Sequence, residues 1–147
     1  MRSPATFGSY PLGYAHRMAT VTITTENLDT TIEGNDIVLL DFWAEWCGPC
    51  RMFGPIFEAA SEAHPDIVFG KVDTEVQQEL AAAFQIRSIP TLMAFREKVL
   101  VFSQPGALGD QQFDQLITAV KDLDMVDVHA KVAEQTRAAE AAGGGSA

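Results

Sequence analysis

Two rhythms of apolar residues alternate along this chain. Ile37-Val38-Leu39-Leu40-Asp41-Phe42-Trp43 is a nearly unbroken apolar run, the pattern of a strand buried on both faces of a parallel or mixed sheet. Just downstream, Met52, Phe53, Ile56, Phe57 and Ala60 recur at helical spacing, which predicts an amphipathic helix. Gly48-Pro49 stands at the join, and proline suits the first turn of a helix. Gly54-Pro55 lies inside that helix and predicts a kink. The same alternation continues on either side. Val21 to Ile23 reads as a short strand, and Leu28 with Ile32 marks a helix ending at Gly34. Ile67 to Asp73 reads as a strand, and Val76, Leu80 and Phe84 give a third helix. Thr91 to Phe95 and Val99 to Phe102 form a hairpin. Its tip, Arg96-Glu97-Lys98, lacks the residues of a primed turn, so a longer or altered turn is expected. Phe113, Leu116, Ile117 and Val120 mark a further helix. Strands separated by crossover helices predict an α/β domain: a central mixed β-sheet with helices on both faces.

The ends carry weaker patterns. Residues 1–20 are rich in Pro, Gly, Ser and Thr and read as a disordered N-terminal extension, with Met18 a natural start. Arg2 and Arg17 without an amphipathic period argue against a transit peptide. Met125, Val128 and Val132 continue at i, i+3, i+7, and Ala-rich sequence follows to Ala142. An extra, weakly amphipathic helix is expected over 124–142, then a flexible tail over 143–147. The main domain is read as 21–123. At 147 residues and 47 % hydrophobic content there is enough apolar material for one real core. The net charge of −10 argues against nucleic acid or an anionic membrane surface as partner. No apolar run approaches the ~20 residues of a spanning helix, and no secretory h-region opens the chain. A cytoplasmic, monomeric protein is expected.

Candidate chemistry is concentrated at Trp46-Cys47-Gly48-Pro49-Cys50. These are the only two cysteines of the chain. A ring this small removes little unfolded-state entropy, so the pair is not a fold staple. It is either a reversible dithiol/disulfide or half of a metal site. Zinc wants four ligands, and His16, His64 and His129 are scattered without ligand spacing. The redox reading is the better one, and no bound cofactor or metal is expected. Cys47 precedes the helix N-terminus, where unpaired N–H groups and the helix dipole stabilise a thiolate. Cys47 is expected to be the exposed nucleophile, and Cys50, one turn in, the shielded resolving thiol. Asp41, in the most apolar strand, is rarely just a solvated acid. Full burial would raise its pKa by up to ~3–5 units.

The segment from Asp41 to Met52, with Ile86-Arg87-Ser88-Ile89-Pro90-Thr91 downstream, resembles the thioredoxin family closely. Lys71-Val72-Asp73 fits the end of the intervening strand, and Gly106 the glycine after the last strand. The resemblance covers roughly Val21 to Leu123 and implies the α/β thioredoxin fold. It implies a protein-disulfide reductase that works through a redox-active Cys47–Cys50 disulfide. By the same resemblance Asp41 relays protons towards Cys50 and Lys71 pairs with Asp41. Gly48 and Pro49 set the turn and the redox poise. The Ile89–Pro90 bond is cis and turns the Ile89 backbone towards an extended substrate. Trp46, Ile89, Pro90 and Gly106 form the substrate surface, while Trp43 lies in the core beside it. Reducing equivalents then come from NADPH through thioredoxin reductase, a flavoprotein, and the substrates are protein disulfides. Two rival readings are a disulfide oxidase or isomerase on the same fold, and a holdase that grips partners through the apolar face around Trp46 and Pro90. The proline between the cysteines argues against the first, and the intact cysteine pair against the second as sole function.

Overall fold

The structure is a computed structural model that describes residues 19–146. The expected disorder of the N-terminal extension falls on residues outside this range, apart from its last two. Thr20 already belongs to the first strand. Five strands and five helices follow in order: β1 Thr20–Thr22, α1 Leu28–Gly34, β2 Ile37–Trp43, α2 Gly48–Ala63, β3 Val68–Asp73, α3 Gln78–Ala83, β4 Thr91–Arg96, β5 Val99–Pro105, α4 Asp110–Lys121 and α5 Met125–Ser146. The sheet order is β1-β3-β2-β4-β5. β1, β3 and β2 run parallel, and β4 and β5 are antiparallel to their neighbours. This is the mixed sheet expected from the run at 37–43.

The central strand β2 explains why that run is apolar throughout. Ile37 and Leu39 point to one face, where they meet Phe53, Phe57 and Ala60 of α2 and Phe113, Ile117 and Val120 of α4. Val38, Leu40 and Phe42 point to the other, towards Leu28 of α1 and Leu80 of α3. Both faces are covered, so the period-2 signal vanishes. Asp41 follows the parity of Ile37 and Leu39 and lies under α2. Lys71, two residues after the α2-facing Phe69, lies on that same face, directly beside Asp41 in the parallel β2–β3 register. Phe53 and Phe57 lock α2 down through edge-on contacts, with centroids 5.2 Å from Phe113 and 5.2 Å from Phe69 respectively. The helix that carries the cysteines is thereby fixed to the sheet. It runs through Pro55 as one element of 16 residues.

Three local expectations are corrected. The β4–β5 turn is short rather than long: Arg96 pairs with Val99, and Glu97 and Lys98 have φ of 48° and 71°, the two positive values of a primed turn. Tertiary bonds hold it there. Glu97 N–H donates to the Asp36 carbonyl at 2.8 Å, and its carboxylate lies 2.7 Å from His129 Nε2 on α5. Val76, expected on the buried face of the third helix, is exposed and precedes α3. The Asp73 carboxylate accepts from Glu75 N–H and Val76 N–H, and that Asx-type turn delays the helix. Finally, α5 continues to Ser146, past the boundary expected at Ala142. Met125 is buried and Val128 and Val132 are partly covered. From Ala133 to Gly143 the helix is exposed.

Candidate active site

The two cysteines sit where β2 hands over to α2. Cys47 is the N-cap residue, with extended backbone, and its sulfur accepts the Cys50 backbone N–H at 3.2 Å. Cys47 and Cys50 are joined as a disulfide across a Cα separation of 5.2 Å. In the reduced state the same N–H would face the Cys47 sulfur, so the cap that satisfies the helix would also stabilise a thiolate there. Exposure does not separate the two thiols as expected. Cys47 is 4 % exposed and Cys50 5 %, because both pack against Ala44, Trp43 and Ile89. Surroundings separate them instead. Cys47 lies between exposed Trp46 and exposed Gly48, and its Sγ is 3.6 Å from the Ile89 carbonyl oxygen. Cys50 looks the other way, into a cleft of about 380 Å³ shared with Trp43, Arg51, Gly54, Glu58 and Lys71.

Asp41 lies on the strand beneath this cleft and is 1 % exposed. Neither of its carboxylate oxygens has a hydrogen-bond partner. Burial pushes its pKa up to about 7, against the opposing pull of the Lys71 charge. A buried acid without donors is poorly stabilised as an anion. Lys71 does not bond to it. The Lys71 ammonium is 3.9 Å from Glu58 Oε2 on α2 and 5.0 Å from the centroid of the Trp43 ring. Lys71 is therefore an electrostatic neighbour of Asp41, and its ion pair is with Glu58.

The rim above Cys47 is assembled from distant segments. The Ile89–Pro90 peptide is cis, and Ile89 remains partly exposed while Pro90 is buried. Gly106 N–H donates to the Pro90 carbonyl at 2.8 Å. Gly106 has φ +107°, a conformation for which glycine is the natural residue. Trp46 is 65 % exposed, and its indole N–H donates to Glu75 Oε2 at 3.3 Å. The fold thus brings Cys47, Trp46, Ile89, Pro90 and Gly106 to one end of the sheet, with Lys71 and Cys50 lining the cleft and Asp41 buried beneath it.

A family model described as Thioredoxin matches residues 19–122. The chain belongs to the thioredoxin family. "Putative thioredoxin 2" of Streptomyces coelicolor is 59 % identical over 117 residues, which is 80 % of this chain and 87 % of that protein. The thioredoxin of Mycobacterium tuberculosis is 39 % identical over 97 residues, 65 % of this chain and 84 % of that one. Among solved structures, a thioredoxin variant from Halobacterium salinarum superposes with TM-score 0.66 at 33 % identity, over 71 % of this chain and 92 % of that chain. Plasmodium falciparum thioredoxin gives 0.63 at 34 % identity, over 67 % and 97 %. The resemblance read from the two motifs is borne out, as is the thioredoxin fold. Like its relatives the protein is a thiol–disulfide oxidoreductase, and the Cys47–Cys50 pair is its redox couple. Among the described residues no helix is long and apolar enough to cross a membrane.

Two residues of this thioredoxin site were not singled out from the sequence. Glu75 holds the Trp46 indole, and Glu58 holds Lys71. A signal for the second was present: Cys50, Gly54 and Glu58 recur at i, i+4 and i+8, which puts them on one stripe of α2.

Proposed function

We propose that this thioredoxin reduces disulfides in other proteins of the cytoplasm, as a monomer, with electrons from NADPH delivered by a flavoprotein thioredoxin reductase. The Cys47 thiolate attacks one sulfur of a target disulfide. The other target sulfur leaves as a thiolate, and a mixed disulfide remains on Cys47. Cys50 then gives its proton to Asp41 and attacks Cys47 Sγ. The second target thiolate leaves, takes up the proton, and the Cys47–Cys50 disulfide is restored. Two electrons have moved to the target, and the reductase replaces them.

The observation that carries this reading is the asymmetric placement of the two sulfurs. Cys47 caps α2, beside an outward-facing main-chain segment at Ile89 where an extended peptide can pair. Trp46 adds exposed aromatic surface on the other side. Cys50 faces the cleft over Asp41, whose pKa of about 7 suits a group that takes and returns a proton near neutrality. Lys71 tempers that acid, and Gly48-Pro49 shapes the turn between the sulfurs.

Turnover with insulin as disulfide substrate tests the proposal. With thioredoxin reductase and NADPH, the protein should catalyse insulin precipitation and NADPH oxidation together. Activity with dithiothreitol alone but none with any thioredoxin reductase would remove the assigned electron source. No activity in either format would remove the reductase reading itself.

A further inference from the structure

The cleft contains a charged group that the redox chemistry above does not use. Glu58 stands on α2 on the stripe of Cys50 and Gly54, and its carboxylate is the ion-pair partner of Lys71 at 3.9 Å. Lys71 and Asp41 project from adjacent strands at matched register, so a lysine of ordinary reach has the buried carboxylate close by. It does not bond to it, since both Asp41 oxygens are without a hydrogen-bond partner. The ammonium instead stays in the cleft wall, against the Trp43 ring and beside Gly54, where a Cβ would lie 3.8 Å from it. A direct Lys71–Asp41 bond would lock the carboxylate in its ionised form and make it a weak base. Something must hold the ammonium back, and Glu58 is the one anion paired with it among the described residues.

We propose that Glu58 is a positioning residue of the redox site: it anchors the Lys71 ammonium at the mouth of the cleft, off the Asp41 carboxylate, and so keeps Asp41 available as a proton acceptor for Cys50. The inference rests on the relay reading of Asp41 for its functional meaning, but the placement of Lys71 can be tested without it. The charged and titratable groups around Asp41 are few. Lys71 faces it from β3. Glu58 and Cys50 face the cleft from α2, as does Arg51, whose guanidinium is turned to the Glu45 carbonyl at 3.1 and 3.2 Å. Glu45 also lines the cleft, from the loop ahead of α2. On the β4 side Asp41 pairs with Leu92, which carries no charge.

Two mechanisms predict that removing Glu58 lowers the Asp41 pKa: release of Lys71 towards Asp41, and loss of direct repulsion between two carboxylates. Only the first requires Lys71. The test is therefore a cycle of Glu58→Gln, Lys71→Met and the double variant. The Asp41 midpoint is read from its carboxyl ¹³C resonance in the oxidised protein, assigned with Asp41→Asn. We expect Glu58→Gln to move the midpoint down by about half a pH unit, roughly a three-fold change in protonation constant. Lys71→Met should move it up, and Glu58→Gln should have no further effect in the Lys71→Met background. Glu58→Asp should restore part of the wild-type value. An unchanged midpoint in Glu58→Gln would overturn the proposal. So would an equal downward shift with and without Lys71, which would assign the effect to repulsion alone. Insulin turnover against pH separates the two layers. Its acidic limb should move with the midpoint in Glu58→Gln. If Asp41→Asn turned over normally while the cycle gave the expected shifts, the relay reading would fall and the placement of Lys71 would stand.

Discussion

Asp41→Asn should stabilise this protein, and by an amount that depends on pH. The perturbation removes a carboxylate that is 1 % exposed and without hydrogen-bond partners, while Lys71 keeps Glu58 as its partner. The carboxyl titrates near 7 in the folded protein against 3.8 as its ordinary value, because burial outweighs the pull of Lys71. Between those two values the folded state binds more protons than the unfolded chain. Stability from this group is therefore full below the unfolded pKa and is lost as pH rises towards 7, with little further change above. The whole shift corresponds to about 4 kcal/mol. If asparagine reproduces the neutral acid, the variant gains about 4 kcal/mol at pH 8 and about 2 kcal/mol at pH 5. A buried amide without partners has its own cost, but that cost is the same at both pH values and cancels in the difference. The decisive quantity is thus the extra gain of about 2.5 kcal/mol between pH 5 and pH 8. Guanidinium unfolding of both oxidised proteins at the two pH values, followed by far-UV circular dichroism, measures it from midpoints at common slope. Equal gains at the two pH values would show that the carboxyl is not shifted and would refute the reasoning. Turnover should fall in the same variant, since Cys50 loses its proton acceptor.

Other parts of the structure make independent predictions. Gly70→Ala should cost about 2–3 kcal/mol, because a Cβ there would lie 2.5 Å from Ile23 Cγ1 and 3.0 Å from Leu40 Cδ2, both packed in the core; a urea titration at pH 7 checks it. Lys98→Gly should raise stability by about 1 kcal/mol, since the residue holds φ of 71° at the tip of the β4–β5 turn; an unchanged melting temperature would mean that the turn is not strained. Ending the chain after Leu123 removes buried Met125 and the His129–Glu97 contact, and should cost about 2 kcal/mol with insulin turnover intact. A loss of turnover on truncation would tie α5 to the redox site.

Much of this site was legible because its residues are local in sequence and its strands are buried on both faces. The run at 37–43 and the stripe Phe53, Phe57, Ala60 place the cysteines at a strand-to-helix junction, and Asp41 stands out as the acid in an apolar run. Properties set by distant segments were not legible. Cys47 reads as exposed from its place ahead of a helix, yet Ile89, 42 residues downstream, packs over it. The primed turn at Glu97-Lys98 has none of the usual turn residues, and contacts to Asp36 and His129 hold it. The family resemblance pairs Lys71 with Asp41, but the ion pair depends on Glu58 of a helix that crosses above the strand. Val76 departs from the helical spacing for a local reason: the Asp73 carboxylate caps the turn at Glu75 and Val76 and delays the helix to Gln78.

The central claim is that Cys47 attacks the target and Cys50 releases it. The most direct measurement is peptide mapping by mass spectrometry after mixing Cys50→Ser and Cys47→Ser variants with a disulfide-linked protein substrate under non-reducing conditions. Cys50→Ser should accumulate a mixed disulfide at Cys47 that dithiothreitol dissolves, because a serine hydroxyl is far less acidic than a thiol and cannot complete the exchange. Cys47→Ser should form little or none, since its remaining thiol faces the cleft and lacks the helix-cap position. A stable adduct at Cys50 in Cys47→Ser, with none at Cys47 in Cys50→Ser, would contradict the assignment.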